Sequence, residues 1–281
     1  MTQKTILITG ASDGIGAVAA RTLAAKGHRL LLVGRSPEKT ARVAQEIGAS
    51  FFVADFASLD DVRKLAVEIS STVGHLDVLA NNAGAVLGRR VVTVDGHEKT
   101  FQVNHLAPFL LTNLLLDLLR AGQGVVVNTS SSAAWALGRV DIDDLELEQR
   151  YGTFRAYGTA KLENILFTRG LQARYGARGI TSVAFDPGNV RTNFASETGN
   201  LLARTLYRTP LSRLFLISPE KGGANLEFFV DGTPGTTWLP GRFYTRTTLA
   251  TKRQTNPQVD DDSLVEALWQ RSADLVGLPP A

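Results

Sequence analysis

Thr9-Gly10-Ala11-Ser12-Asp13-Gly14-Ile15-Gly16 closes the strand-like run Lys4–Thr9 and opens a helical pattern that reaches about Ala25. Glycines at a strand end allow a tight turn and bring backbone close to a pyrophosphate. The helix start behind them offers N–H groups and the positive end of its dipole. A glycine-rich turn alone decides little. Behind the first strand of an alternating chain it marks a dinucleotide site. Gly10, Ser12, Asp13, Gly14, Ile15 and Gly16 are therefore candidate cofactor contacts.

Working outward, strand-like runs alternate with helical patterns. Strands are expected at Arg29–Val33, Phe51–Ala54, Leu76–Asn81, Gly124–Thr129 and Ile180–Phe185. Helices are expected near Pro37–Ile47, Ser58–Thr72 and Ala156–Tyr175, with a long one between the fourth and fifth strands ending near Arg120. Ile6-Leu7-Ile8 and Val125-Val126-Val127 are apolar without interruption, as strands covered on both faces are. The expectation is one α/β domain, a doubly wound parallel sheet of Rossmann type with helices on both faces. After Thr192 the pattern loosens: Asn200–Ile217 reads as one or two helices outside the sheet. Ser218–Val230 reads as a helix capped by Ser218 with Pro219 at its first position, and Gly241–Tyr244 as a last strand.

Composition narrows the function classes. The 281 residues are 44% hydrophobic and 20% charged, which excludes a disordered or collagen-like chain. A net charge of +3 without a long Lys/Arg run argues against nucleic acid as a partner. Zero Cys excludes thiol catalysis and disulfides, and four scattered His give no metal-ligand spacing. The most apolar stretch, Leu106–Leu119, is interrupted by Pro108, Thr112, Asn113 and Asp117 and is too short to cross a bilayer. The N-terminus runs directly into the first strand. A cytoplasmic protein with no integral membrane segment is expected.

The second strand ends in Gly34-Arg35-Ser36. An acidic residue there would bind a ribose 2′-hydroxyl, whereas Arg35 pairs with a 2′-phosphate. NADP(H) is expected over NAD(H), with Asp13 a nearby charge of the wrong sign for phosphate. Asp55, in Ala54-Asp55-Phe56, can accept from the adenine amino group, or serve as a turn or cap residue.

Further elements fall in order: Asn81-Asn82-Ala83-Gly84, the Ser130-Ser131 pair, Tyr157-Gly158-Thr159-Ala160-Lys161 and Asp186-Pro187-Gly188-Asn189-Val190-Arg191-Thr192. With the glycine-rich turn, the set resembles the short-chain dehydrogenase/reductase family over nearly the whole chain. Phe101-Gln102-Val103-Asn104-His105-Leu106, Phe109–Leu115 and Tyr157–Phe167 resemble its retinol dehydrogenase and WW-domain oxidoreductase branch. That branch implies NADP(H)-linked chemistry on lipophilic alcohols and carbonyls.

Tyr157 and Lys161 are four apart on a helix and share a face. A phenol with pKa about 10 is a poor base at neutral pH. A neighbouring ammonium favours the phenolate and makes a usable acid/base. The resemblance gives Lys161 a second role on the nicotinamide ribose. It makes Ser131 the hydroxyl that holds the substrate oxygen and Asn104 the holder of a relay water. Mid-helix Asn is otherwise unfavourable; His105 beside it reads as structural. Asn82, Ala83 and Gly84 are placed beside the adenosine-side ribose, Pro187-Gly188 behind the nicotinamide, and Val190 and Thr192 at its carboxamide and the pyrophosphate. Residues 1–192 then form the cofactor and catalytic core, and about 193–240 a substrate lid and C-terminal helices.

Twenty-five residues separate Ser131 from Tyr157, about twice the interval the resemblance implies. The insert, 132–156, with Asp141, Asp143, Asp144, Glu146 and Glu148, reads as a solvated turn whose end, Trp135-Ala136-Leu137, borders a pocket. Leucines and arginines in Asn200–Ile217 fit a lipophilic lid, an amphipathic surface helix or a membrane-surface contact. The expected activity is hydride transfer between NADP(H) and an alcohol/carbonyl pair. The alternative is an NADP(H)-binding redox sensor or scaffold without turnover. Long helices on the sheet faces are the family's means of forming a homodimer.

Overall fold

The computed structural model describes residues 2–188 and 217–279. Val190, Thr192 and nearly all of the 200–217 segment lie outside them. Among the described residues eight strands form one sheet: β1 (Thr5–Thr9), β2 (Arg29–Gly34), β3 (Ser50–Val53), β4 (Val78–Asn81), β5 (Val125–Thr129), β6 (Thr181–Asp186), β7 (Phe243–Thr245) and β8 (Thr248–Leu249). Their order is β3-β2-β1-β4-β5-β6-β7-β8, all parallel except the final β7–β8 pair. The order reverses between β1 and β4, so the loops leaving those two strands flank the crevice where such sheets take ligands.

Among the described residues the α-helices are α1 (Gly14–Ala25), α2 (Pro37–Ile47), α3 (Leu59–Thr72), α4 (Lys99–Phe101), α5 (Ala107–Leu114), α6 (Leu116–Ala121), α7 (Ala133–Ala136), α8 (Thr153–Tyr175), α9 (Pro219–Asp231) and α10 (Asp262–Leu275). Two buried clusters divide at the sheet. Leu7, Leu31, Leu79 and Val126 face Leu65, Phe109, Leu162 and Trp269. Ile6, Ile8, Leu32 and Val127 face Ala19, Leu23, Val43 and Phe229. Period-2 alternation on central strands thus feeds two apolar layers, which is why those strands read as unbroken hydrophobic runs.

Three expectations change. The long helix before β5 begins only at Lys99, widens into a π turn over Gln102–Leu106, and breaks again at Leu115. Residues 82–98 ahead of it are mostly irregular. Pro108 supplies a cause: it lacks the N–H owed to the carbonyl four residues back and its ring crowds that carbonyl. The 132–156 insert is not simply a solvated turn, because Val140, Leu145 and Leu147 are buried and hydrophobic burial fixes its path. The strand expected at Gly241–Tyr244 is not the last: β8 follows it at the sheet edge and α10 packs on the core, both in a stretch to which no element was assigned from sequence. Ser218 does cap α9, accepting from Lys221 N at 3.5 Å, with Pro219 in the first turn.

Candidate active site

The glycine turn is shaped by close backbone approach. Gly10 and Gly14 adopt φ of +67° and +55°, a region that costs side chains. A Cβ on Gly16 would lie 2.4 Å from the Gly10 carbonyl oxygen, and one on Gly10 would lie 2.9 Å from Ala83 Cα. Thr9 Oγ1 accepts from the backbone N–H groups of Asn82 and Ala83, both at 3.0 Å. Asn82 Nδ2 donates back to Thr9 O at 2.9 Å. The loops after β1 and β4 are thereby one unit. Asp13 caps α1, its carboxylate accepting from Gly14 N at 2.7 Å.

At the end of β2, a Cβ on Gly34 would meet Thr40 Oγ1 at 2.2 Å and Ser12 Cβ at 3.0 Å. Ser12, exposed Arg35 and Ser36 therefore share one rim, with Ser36 also capping α2. Asp55 is half-buried and accepts from Ala57 N at 3.0 Å. The Phe56 side chain belongs to the core, which leaves only its backbone for a ligand.

Tyr157 and Lys161 lie on α8, whose interior face is almost entirely buried. Lys161 Nζ sits 5.6 Å from the Tyr157 ring centroid and donates to Thr129 O at 3.1 Å. Burial lowers its pKa to about 7, because a desolvated ammonium is costly. Gly84 makes room for this group: a Cβ there would lie 2.6 Å from Asn104 Oδ1 and 2.9 Å from Lys161 Nζ. The two serines divide. Ser130 is buried, with its hydroxyl donating to Lys161 O at 2.7 Å. Ser131 is half-buried, and its Oγ accepts from Ala133 N at 3.2 Å.

Asn104 stands in the π turn. Its Oδ1 accepts from Ala85 N at 3.1 Å, and its Nδ2 donates to Ala85 O and Thr100 O. The side chain is thus occupied in bracing the loop after β4. Asp186 is buried and accepts from Gly188 N at 2.9 Å, while Asn225 Nδ2 on α9 pins Pro187 O at 3.0 Å. Burial raises the Asp186 pKa.

Sequence reasoning missed several residues around this center. Glu146, read as solvated, is bonded to His97 Nδ1 at 2.8 Å, and this hydrogen bond raises the His97 pKa. Glu163, two residues past Lys161, is fully buried with no partner at either carboxylate oxygen. Burial raises its pKa well above the ordinary value, with Glu146 and Glu98 adding repulsion. Asn256 donates to Ala134 O and Gly138 O, at 3.1 and 2.8 Å, and so fixes α7 from far along the chain. Trp135 and Leu137, which the sequence did single out as bordering a pocket, are about half exposed together with Phe154, at 51%, 48% and 45%. A Cβ on Gly158 would lie 3.1 Å from Leu137 Cβ, so this apolar edge is held beside Tyr157. No local period marks any of these. The Glu within an otherwise apolar helix face was the one available signal. Among the described residues no His/Cys/Asp/Glu group could hold a metal ion, and no helix is long and apolar enough to cross a membrane.

The family described as short chain dehydrogenase matches residues 4–201. A protein of Streptomyces sp. (strain C5), whose name assigns it as a daunorubicin C-13 ketoreductase, is 37% identical, covering 98% of this chain and 93% of that one. Retinol dehydrogenase 13 of Homo sapiens is 34% identical over 98% of this chain and 85% of its own. The RhlG/NADP active-site complex of Pseudomonas aeruginosa superposes with a TM-score of 0.67 at 25% identity, covering 87% of this chain and 95% of that one.

Proposed function

The chain belongs to the short chain dehydrogenase family, and we propose that within it the protein is an NADP(H)-dependent oxidoreductase of lipophilic aldehydes or ketones and their alcohols. Hydride exchange between a nicotinamide cofactor and an alcohol/carbonyl pair is the chemistry of its relatives. The observation that carries the reading is the buried Lys161 ammonium, 5.6 Å from the Tyr157 ring and with a pKa near neutrality.

The residues present fit a dinucleotide. Glycine at 10 and 16 lets the turn close against itself and against the loop after β4, which bares the N-terminus of α1 to an anionic group. Gly10, Ser12, Gly14, Ile15 and Gly16 would hold the pyrophosphate. Arg35 and Ser36 would hold a ribose 2′-phosphate, and Asp55 with the Phe56 backbone the adenine. Asn82 and Ala83 would border the adenosine side; Gly84, packed against Lys161 and Asn104, would border the nicotinamide side with Pro187 and Gly188. The bound nicotinamide supplies or accepts hydride at its C4.

The chain's own residues handle the oxygen. Ser131 Oγ, the less buried of the two hydroxyls, donates to the carbonyl oxygen and stabilizes charge that develops there. Tyr157 delivers the proton to that oxygen in reduction and removes it in oxidation. Lys161 favors the phenolate through its charge. Trp135, Leu137 and Phe154 give the entrance an apolar edge, which supports a lipophilic substrate. Arg35 supports the NADP(H) preference, with NAD(H) the alternative. A cytoplasmic location belongs to the same proposal and is supported only by the sequence reading above.

The test is NADPH oxidation with a panel of apolar aldehydes and ketones, with NADH and Tyr157→Phe run in parallel. Turnover with NADPH that is lost in the variant supports the reading. Preference for NADH overturns the Arg35 argument alone. Tight NADPH binding without turnover on any carbonyl favors a redox sensor or scaffold.

A further inference from the structure

Pro108 stands four residues after Asn104 and has no N–H, so the Asn104 carbonyl loses its α-helical donor. A side chain from another helix takes that place. Asn164 Nδ2, on α8, donates to Asn104 O at 3.0 Å and reaches Thr129 O at 3.5 Å. Thr129 O is also the acceptor for Lys161 Nζ.

With its amide nitrogen so engaged, Asn164 presents Oδ1 to His105 Nδ1 at 3.4 Å. An amide oxygen only accepts, so Nδ1 carries the proton. Burial keeps the imidazole neutral, with a pKa lowered to about 4. Nε2 is then the acceptor, and Ser272 Oγ on α10 donates to it at 2.9 Å. Phe101 stacks on the imidazole at 5.6 Å between ring centroids and Phe167 meets it edge-on at 6.3 Å. The direction of every bond is thereby fixed: Ser272 to His105, His105 to Asn164, Asn164 to the carbonyls of Asn104 and Thr129.

We propose that Ser272, His105 and Asn164 are positioning residues, a one-way hydrogen-bond chain by which the C-terminal helix holds the Thr129 carbonyl and the Asn104 turn around Lys161. The inference rests on the role given to Lys161 above. It makes His105 more than a packed ring, and it gives α10 a task in the reaction although that helix supplies no group to the substrate.

Two measurements test it. Nitrogen-15 NMR of the imidazole in the protein without cofactor is expected to show His105 as the Nδ1–H tautomer, the minor form of free imidazole, and Ser272→Ala is expected to disturb that signal. An Nε2–H tautomer overturns the chain. In steady-state kinetics Ser272→Ala is expected to lower kcat by about 5-fold, the scale of one hydrogen bond. Asn164→Leu is expected to lower it by about 100-fold through displacement of the reacting groups. KM should stay within a factor of about 2, because the chain touches neither substrate nor cofactor. Ser272→Thr, which keeps the hydroxyl, is expected to restore kcat. Folded Ser272→Ala and Asn164→Leu proteins with unchanged kcat overturn the proposal. Full turnover by Tyr157→Phe instead overturns the role of Lys161, while the tautomer still decides whether the chain exists.

Discussion

The rim around Gly10–Gly16 and the chamber around Lys161 meet at Gly84, yet they are built by different physics. The rim is made of backbone and absent side chains: positive φ at Gly10 and Gly14, and contacts that no Cβ would tolerate at Gly16. The chamber is made of buried polar side chains and carbonyls contributed by β5, the π turn, α8 and α10. There, burial of Lys161 lowers its pKa to about 7, while exposed Arg35 on the rim meets solvent. A binding rim needs space and charge. A reacting chamber needs desolvated groups held in fixed directions. Substitutions in the two regions are therefore expected to fail differently.

The sharpest break is Lys161→Met. It should lower kcat by roughly 10²–10⁴-fold, the scale of lost acid–base assistance, without lowering stability at pH 7. The folded pKa of Lys161 lies below its unfolded value, so the wild type gains stability as pH rises from about 7 towards 10.5. The methionine variant lacks that gain, and urea titrations across this range check it. Next, Ser131→Ala should cost about 10²–10³-fold in kcat, as removal of one oxyanion donor does. Ser130→Ala should instead cost about 1 kcal/mol of stability. Equal effects of the two would erase the division drawn from their hydrogen bonds.

On the rim, Arg35→Ala should weaken NADPH binding by about 10-fold or more, as loss of a charge-assisted contact does, and leave NADH binding unchanged. Fluorescence titration with both cofactors measures it. The last effect leaves activity aside and falls on stability alone. Glu163 holds its proton more tightly folded than unfolded. Wild-type stability therefore falls by up to about 1.4 kcal/mol per unit as pH rises above about 4.3, whereas Glu163→Gln escapes that loss. A stability gap between the two that does not widen with pH would show Glu163 to be ionised in the folded protein.

Legibility followed the same division. Gly10, Gly14 and Gly16 announced the rim because a turn's need for glycine is local. Tyr157 and Lys161 announced themselves because helical spacing puts them on one face. Pro108 was visible in the sequence, but its consequence at Asn104 needed the course of the helix. Glu146 looked like one of several solvated acids until its bond to His97 was in view. Asn164, His105 and Ser272 span 168 positions, counted inclusively from 105 to 272, and no local pattern links them.

Alternation of short apolar runs with helical patterns was enough to set a parallel sheet, because burial on both faces is written into each strand. The glycine turn after the first strand was enough to mark a candidate dinucleotide site at the carboxyl end of a central strand. Which serine is buried, what occupies the Asn104 side chain, and how far the Lys161 pKa falls were decided only by tertiary structure. Desolvation and hydrogen-bond direction depend on what every neighboring element brings to one point, and residues far apart in sequence supply those neighbors.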